Sequence, residues 1–142
     1  MQDEPETGSQ EPQEESAQDL QNDLRGFEVV GAFLEEDGWH PQRLEGQPID
    51  RDGFSGRKGS FRCFAQVRTD MDQFLFYVMV PVKVPEPRRS TVAEYLTRAN
   101  YGLRIGNFEM DYGDGEIRYK SSLDFEGVQP NRELVPHAVY PA

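Results

Sequence analysis

Apolar residues recur at three- and four-residue steps through Leu20, Leu24, Phe27, Val30, Phe33 and Leu34. That spacing puts them on one face of a helix running to about Asp37, with Gly38 as its stop. Gly26 and Gly31 fall inside the helix, and each costs about 1 kcal/mol of helix propensity relative to Ala. Packing must therefore hold it. Residues 39–60 show no sustained period and are dense in Gly, Pro and Asp. They predict loops with at most one short strand near Leu44 to Ile49.

The period then changes. "SFRCFAQVRTD" and "QFLFYVMVPVKV" are rich in aromatic and β-branched residues around a polar "TDMD", which predicts a hairpin. With Thr69 to Asp72 as the loop, Arg68 faces Gln73, Val67 faces Phe74, Ala65 faces Phe76 and Cys63 faces Val78. That face is apolar throughout. The opposite face interleaves Arg62, Gln66 and Arg68 with Phe64, Leu75, Tyr77 and Met79. Four large apolar side chains among polar ones fit neither a core nor an ordinary surface. A second layer of this chain, a dimer mate or a bound peptide would cover them.

After the Pro-punctuated "PVKVPEPRR", Thr91 with Glu94 forms a capping-box pattern. Val92, Tyr95, Leu96 and Ala99 then mark a short amphipathic helix, with Gly102 ending it in the left-handed conformation. Leu103 and Ile105 share one strand face, whereas Phe108, Met110 and Tyr112 share the next, so the alternation slips at Gly106-Asn107 and predicts a bulge. Asp114-Gly115 predicts a two-residue hairpin turn. Counting outward pairs Tyr112 with Ile117, Asp111 with Arg118, Met110 with Tyr119 and Glu109 with Lys120. Apolar then meets apolar on one face and acid meets base on the other.

The charge is uneven. Of the 26 acidic residues in a 142-residue chain of net charge −11, eight lie in residues 1–24, where there is no Lys or Arg. Residues 1–21 carry only Met1 and Leu20 as large apolar side chains and read as a disordered acidic tail, since they cannot bury enough surface to offset ordering. Such a tail solubilises, or lures a basic partner. The length allows one domain over residues 22–142. No apolar leader and no membrane-length run occurs, so the expectation is a cytoplasmic protein with no membrane contact.

Candidate chemistry is sparse. Cys63 is the only cysteine; at an apolar strand position it reads as an inert buried thiol. His40, His137 and Cys63 are too scattered for zinc. "DRDG" and "DYGDGE" lack the spacing of a calcium loop. "GFSGRKGS" lacks the Gly-Lys-Ser/Thr of a phosphate loop, and a mobile solvated loop explains Arg57 and Lys58 more simply. Net charge disfavours nucleic acid. No cofactor or metal is expected, and no catalytic residue is assigned.

The run "RANYGL...GNFEMD...DGEIRY", with Asn100, Tyr101, Gly102, Gly106, Asn107 and Phe108, resembles the YbjN family over roughly residues 24–136. The resemblance implies an α+β domain with the fold of type III secretion chaperones: an antiparallel sheet of about five strands with flanking helices. It also implies frequent dimerisation and a sensory-regulatory or chaperone-like role. The six residues are a family signature, read as structural. The chain stops at "ELVPHAVYPA", about where similar proteins begin a last helix, so that helix is expected to be absent. The combined expectation is a non-enzymatic protein-binding module. It would dimerise or hold a protein client on the face of Arg62, Phe64, Arg68, Leu75, Tyr77 and Met79. A ligand-sensing regulator and a carboxylate enzyme built on residues 39–60 are the alternatives.

Overall fold

The computed structural model describes residues 28–39, 42–43, 49–56, 59–68, 71–128 and 131–141, with the backbone alone considered over 42–59. The expected acidic tail, His40, and the side chains of the 39–60 segment beyond Trp39 and Ser60 lie outside the described residues. Six strands form one antiparallel sheet: β1 (Gln42–Arg43), β2 (Ile49–Gly56), β3 (Gly59–Arg68), β4 (Gln73–Met79), β5 (Asn107–Met110) and β6 (Ile117–Asp124). Their order is β1-β2-β3-β4-β6-β5. Helices α1 (residues 28–36), α2 (Arg89–Gly102) and α3 (Val135–Val139) complete the fold. This is the expected α+β class, with six strands in place of about five because β1 has only two residues and β2 runs through a segment whose Gly and Asp predict loops.

The β3–β4 register is the expected one: Arg68 opposite Gln73, Val67 opposite Phe74, Ala65 opposite Phe76 and Cys63 opposite Val78. Alternation aims Cys63, Ala65, Val67, Phe74 and Phe76 at one side, where Val30, Phe33 and Leu34 of α1 and Val135, Ala138 and Val139 of α3 bury them. Helix α1 ends where expected: Trp39 N–H donates to Leu34 O at 2.9 Å and Gly38 N–H to Glu35 O. These bonds close a Schellman motif, with Trp39 and Leu34 joined in the core cluster. The C-terminal stretch supplies the five-residue α3.

Other details differ from the sequence reading. "IDRDGFSG" forms an eight-residue strand, β2, along β3. The ladder offered by β3 outweighs the poor strand propensity of Gly53 and Gly56, as neighbour context commonly does in sheets. Thr91 caps nothing: α2 begins at Arg89 without a side-chain cap, and Glu94 accepts from Arg98 one turn on instead. Tyr95 is 71% exposed rather than on the buried stripe, which runs through Val92, Leu96 and Ala99. Gly102 stays inside the helix, and Leu103 N–H closes it onto Asn100 O.

The β5–β6 register is shifted by two residues from the expected one: Met110 lies opposite Ile117, Glu109 opposite Arg118 and Phe108 opposite Tyr119. The tight turn at Asp114-Gly115 is replaced by a wider loop. Asp111 Oδ1 accepts from Gly113 N–H, Asp114 Oδ1 accepts from Glu116 N–H, and Asp111 N–H donates to Glu116 O. Two aspartate-built turns outcompete the two-residue turn. A shift of two leaves every side chain on its own face, so the sorting of apolar from charged residues survives. Ile105 and Leu103 precede the strand, and no bulge forms at Gly106.

A second cluster of Val84, Leu96 and Ile117, flanked by Val80, Val92, Phe108 and Met110, sits beneath α2. Val78 lies opposite Tyr119, and Ile117, Tyr119 and Ser121 alternate along β6 on the side of Phe76. All three helices therefore pack on the same side of the sheet. Arg89 fastens α2 there, its guanidinium donating to Val84 O at 3.2 Å and Tyr112 O at 2.8 Å.

Candidate functional site

Two surfaces follow from this one-sided arrangement. The outer face of the sheet gathers all six residues expected to bind a partner. Arg62 lies opposite Met79, Phe64 opposite Tyr77, Gln66 opposite Leu75 and Arg68 opposite Gln73. Phe64, Leu75, Tyr77 and Met79 are half-buried and belong to neither core cluster. Their shelter comes from cross-strand neighbours, because no described helix packs on this side.

On β6 the register adds Arg118 and Lys120 to the same face. The Arg118 guanidinium stands 4.5 Å from the centre of the Tyr77 ring, a cation–π contact on this face. Glu109 of β5 accepts from Arg118 at 2.7 Å and also from Lys120. Partial burial pushes the Glu109 carboxyl up, and these two hydrogen bonds and their charges more than offset it, so its pKa lies below the ordinary Glu value. Among the described side chains the face carries Arg62, Arg68, Arg118 and Lys120 against Glu109 and Asp124. It is locally positive on a chain of net charge −11.

The second surface was not foreseen from sequence. Between the two core clusters the sheet is open, leaving a cleft of about 430 Å³. Its floor is Phe61, Cys63, Phe76 and Val78; Trp39 and Val139 wall one side, Phe108 and Leu103 the other. Trp39 meets Phe76 edge-on at 6.1 Å, and Phe108 meets Tyr119 edge-on at 5.4 Å. Sequence periodicity assigns Cys63, Phe76, Val78 and Phe108 to the apolar faces of their strands, whereas Trp39 and Val139 fall outside any periodic run. It is silent on whether neighbouring helices meet over them, so only the separation of α2 from α3 reveals the gap.

The signature residues divide by position. Asn100 reads the main chain of β5: its Nδ2 donates to Phe108 O at 3.0 Å and its Oδ1 accepts from Phe108 N–H at 2.7 Å. Asn107 Nδ2 also reaches Phe108 O, at 3.4 Å. Gly106 has φ +70°, and a Cβ there would overlap the Tyr119 hydroxyl, which donates to Ile105 O at 2.7 Å. Burial alone pushes the Tyr119 pKa up. Tyr101 is 96% exposed and Gly102 lies at the exposed end of α2; neither touches the cleft. Cys63 is buried, and no group of three or more His, Cys, Asp or Glu positioned for a metal occurs among the described residues. No described helix is long and apolar enough to cross a membrane.

These features define a small α+β domain whose described helices clothe one side of the sheet and leave the other side without one. The chain belongs to the YbjN family: the family model, described as "Putative bacterial sensory transduction regulator", matches residues 27–137. Among solved structures, the chain is similar to that reported as "Crystal structure of YbjN, a putative transcription regulator from E. coli", with a TM-score of 0.61 at 12% sequence identity over 82% of each chain. At that identity the likeness establishes the shared fold. No curated protein matches the chain.

Proposed function

We propose that this chain is a non-enzymatic regulatory adaptor that holds an acidic, partly apolar segment of a client protein on the outer face of its sheet. The observation that carries this reading is the bare face itself, where Phe64, Leu75, Tyr77 and Met79 lie in one patch beside Arg62, Arg68 and Arg118. Large side chains on a preformed sheet lose little entropy on binding. The surrounding positive charge selects acidic partners and speeds their approach. It also opposes face-to-face pairing of two copies, in which like charges would meet. The regulatory part rests on the description of the family.

A peptide-display selection on the folded protein tests the reading, with the double variant Tyr77→Ser/Met79→Ser as comparator. Enriched peptides should combine Asp or Glu with aliphatic or aromatic residues, and should bind the variant at least about tenfold more weakly, the scale of one lost hot spot. Circular dichroism spectra of the two proteins should coincide, with the variant melting cooperatively at a modestly lower temperature as its cross-strand contacts are lost. Equal binding to the variant, or enrichment of basic peptides, overturns the assignment. Light scattering that shows a dimer dissolved by the same substitutions makes the occupant a second copy and overturns the client reading.

A further inference from the structure

The cleft between the two helical groups lies on the opposite side of the sheet from the adaptor face and makes no use of it. We propose that it is a binding site for an uncharged, ring-bearing apolar small molecule. Its volume, about 430 Å³, lies within the roughly 300–1,000 Å³ typical of small-ligand pockets. Among the described residues that line it, none is Asp, Glu, Lys, Arg or His, so a charged ligand would lose its hydration with no partner from them in return.

Two of the polar groups in the described wall, on Tyr119 and Trp39, are already engaged. The Tyr119 hydroxyl donates to Ile105 O at 2.7 Å and the Trp39 indole to Asp37 Oδ2 at 3.3 Å. Recognition there is by shape and by rings. Trp39 against Phe76 and Phe108 against Tyr119 present edges and faces to the space between them, and aromatic ligands match that alternation of ring quadrupoles.

Two rival occupants fit less well. Residues 1–24 of this chain carry eight acids and only Met1, Leu20 and Leu24 as large apolar residues, so seating them would bury carboxylates against an uncharged wall. A second copy of the chain needs a broad flat patch of about 800 Å² per partner, whereas this is a concave gap between elements. The proposal also gives the signature a task. Asn100 grips both main-chain groups of Phe108, and Gly106 leaves room for the Tyr119 hydroxyl. Together they fix the two rings that form one wall, and they do so without touching a reaction centre.

The experiment is a titration of the full chain with Nile red, a neutral ring dye that brightens in apolar surroundings. Saturable one-to-one binding is expected, with displacement by naphthol stronger than by the straight-chain decanol. Leu103 stands at the rim and is 39% exposed, so Leu103→Trp plugs the mouth without repacking the core and should weaken dye binding tenfold or more. Val78→Trp fills the floor and serves as a second variant if the first changes folding. Tyr77→Ser/Met79→Ser, on the other side of the sheet, should leave dye binding unchanged, which separates this result from the fate of the adaptor reading. Non-saturable uptake, equal binding to Leu103→Trp, or displacement by decanol as strong as by naphthol overturns the proposal.

Discussion

At the scale of single residues, Glu109 is where electrostatics enters the sheet. Its carboxylate meets Arg118 and Lys120 together, with side chains still a quarter to two-fifths exposed, so solvent limits each pair to about 1 kcal/mol or less. A carboxyl whose folded pKa lies below its unfolded value contributes stability that is complete above the unfolded value, near 4.3 for Glu. That contribution disappears as pH falls through the lower folded value. Urea titrations of Glu109→Gln should therefore show about 1 kcal/mol lost at neutral pH and a smaller difference from the parent in acid. A difference that stays constant across that range assigns the loss to packing rather than to charge. Lys83 and Asp114 form a comparable but exposed pair at the loop, where the hydrogen bond between them raises the Lys83 pKa and lowers that of Asp114.

At the scale of elements, α2 and β5 are joined both by the packing of Val92 and Leu96 beside Phe108 and Met110 and by the side chain of Asn100. Edge strands leave main-chain groups without a ladder partner, and Asn100 offers Phe108 both an acceptor and a donor. Asn100→Ala should cost about 1–3 kcal/mol, because it strands polar groups and removes two bonds. A fluorescence or calorimetric melt reads the loss, and Asn100→Ala melting within experimental scatter of the parent would place the latch elsewhere. How legible such elements are in sequence depends on which force sets them. The β3–β4 hairpin follows from alternation alone, and its register is read residue for residue. The β5–β6 pairing keeps its faces but slides by two, because the closing loop is decided by the aspartate turns at Asp111 and Asp114. Strand β2 is lost among Gly and Asp because the reason it extends is β3, a neighbour distant in any local window. The six residues proposed to hold a client are legible as one face from period two. The cleft is not, since it arises from the spacing of helices.

At the scale of the whole molecule, the two core clusters are unequal: among the described residues, eleven buried ones form the cluster beneath α1 and α3, and three form the one beneath α2. Opening of a region is resisted in proportion to the apolar surface it buries. Amides of α2 should exchange with solvent faster than those of β3 and β4 by at least about an order of magnitude, the effect of a difference near 1.4 kcal/mol in opening free energy. Native-state hydrogen exchange measures it, and equal protection would mean that the α2 segment opens only with the rest. The strand order carries one more consequence. Strand β6 is threaded between β4 and β5, yet it is the last of the described strands to be made. A polypeptide stalled on the ribosome before Ile117 presents the backbone of Gln73–Met79 as an open seam, ready to zip onto any extended stranger. Completion of translation through Asp124 closes that seam from within.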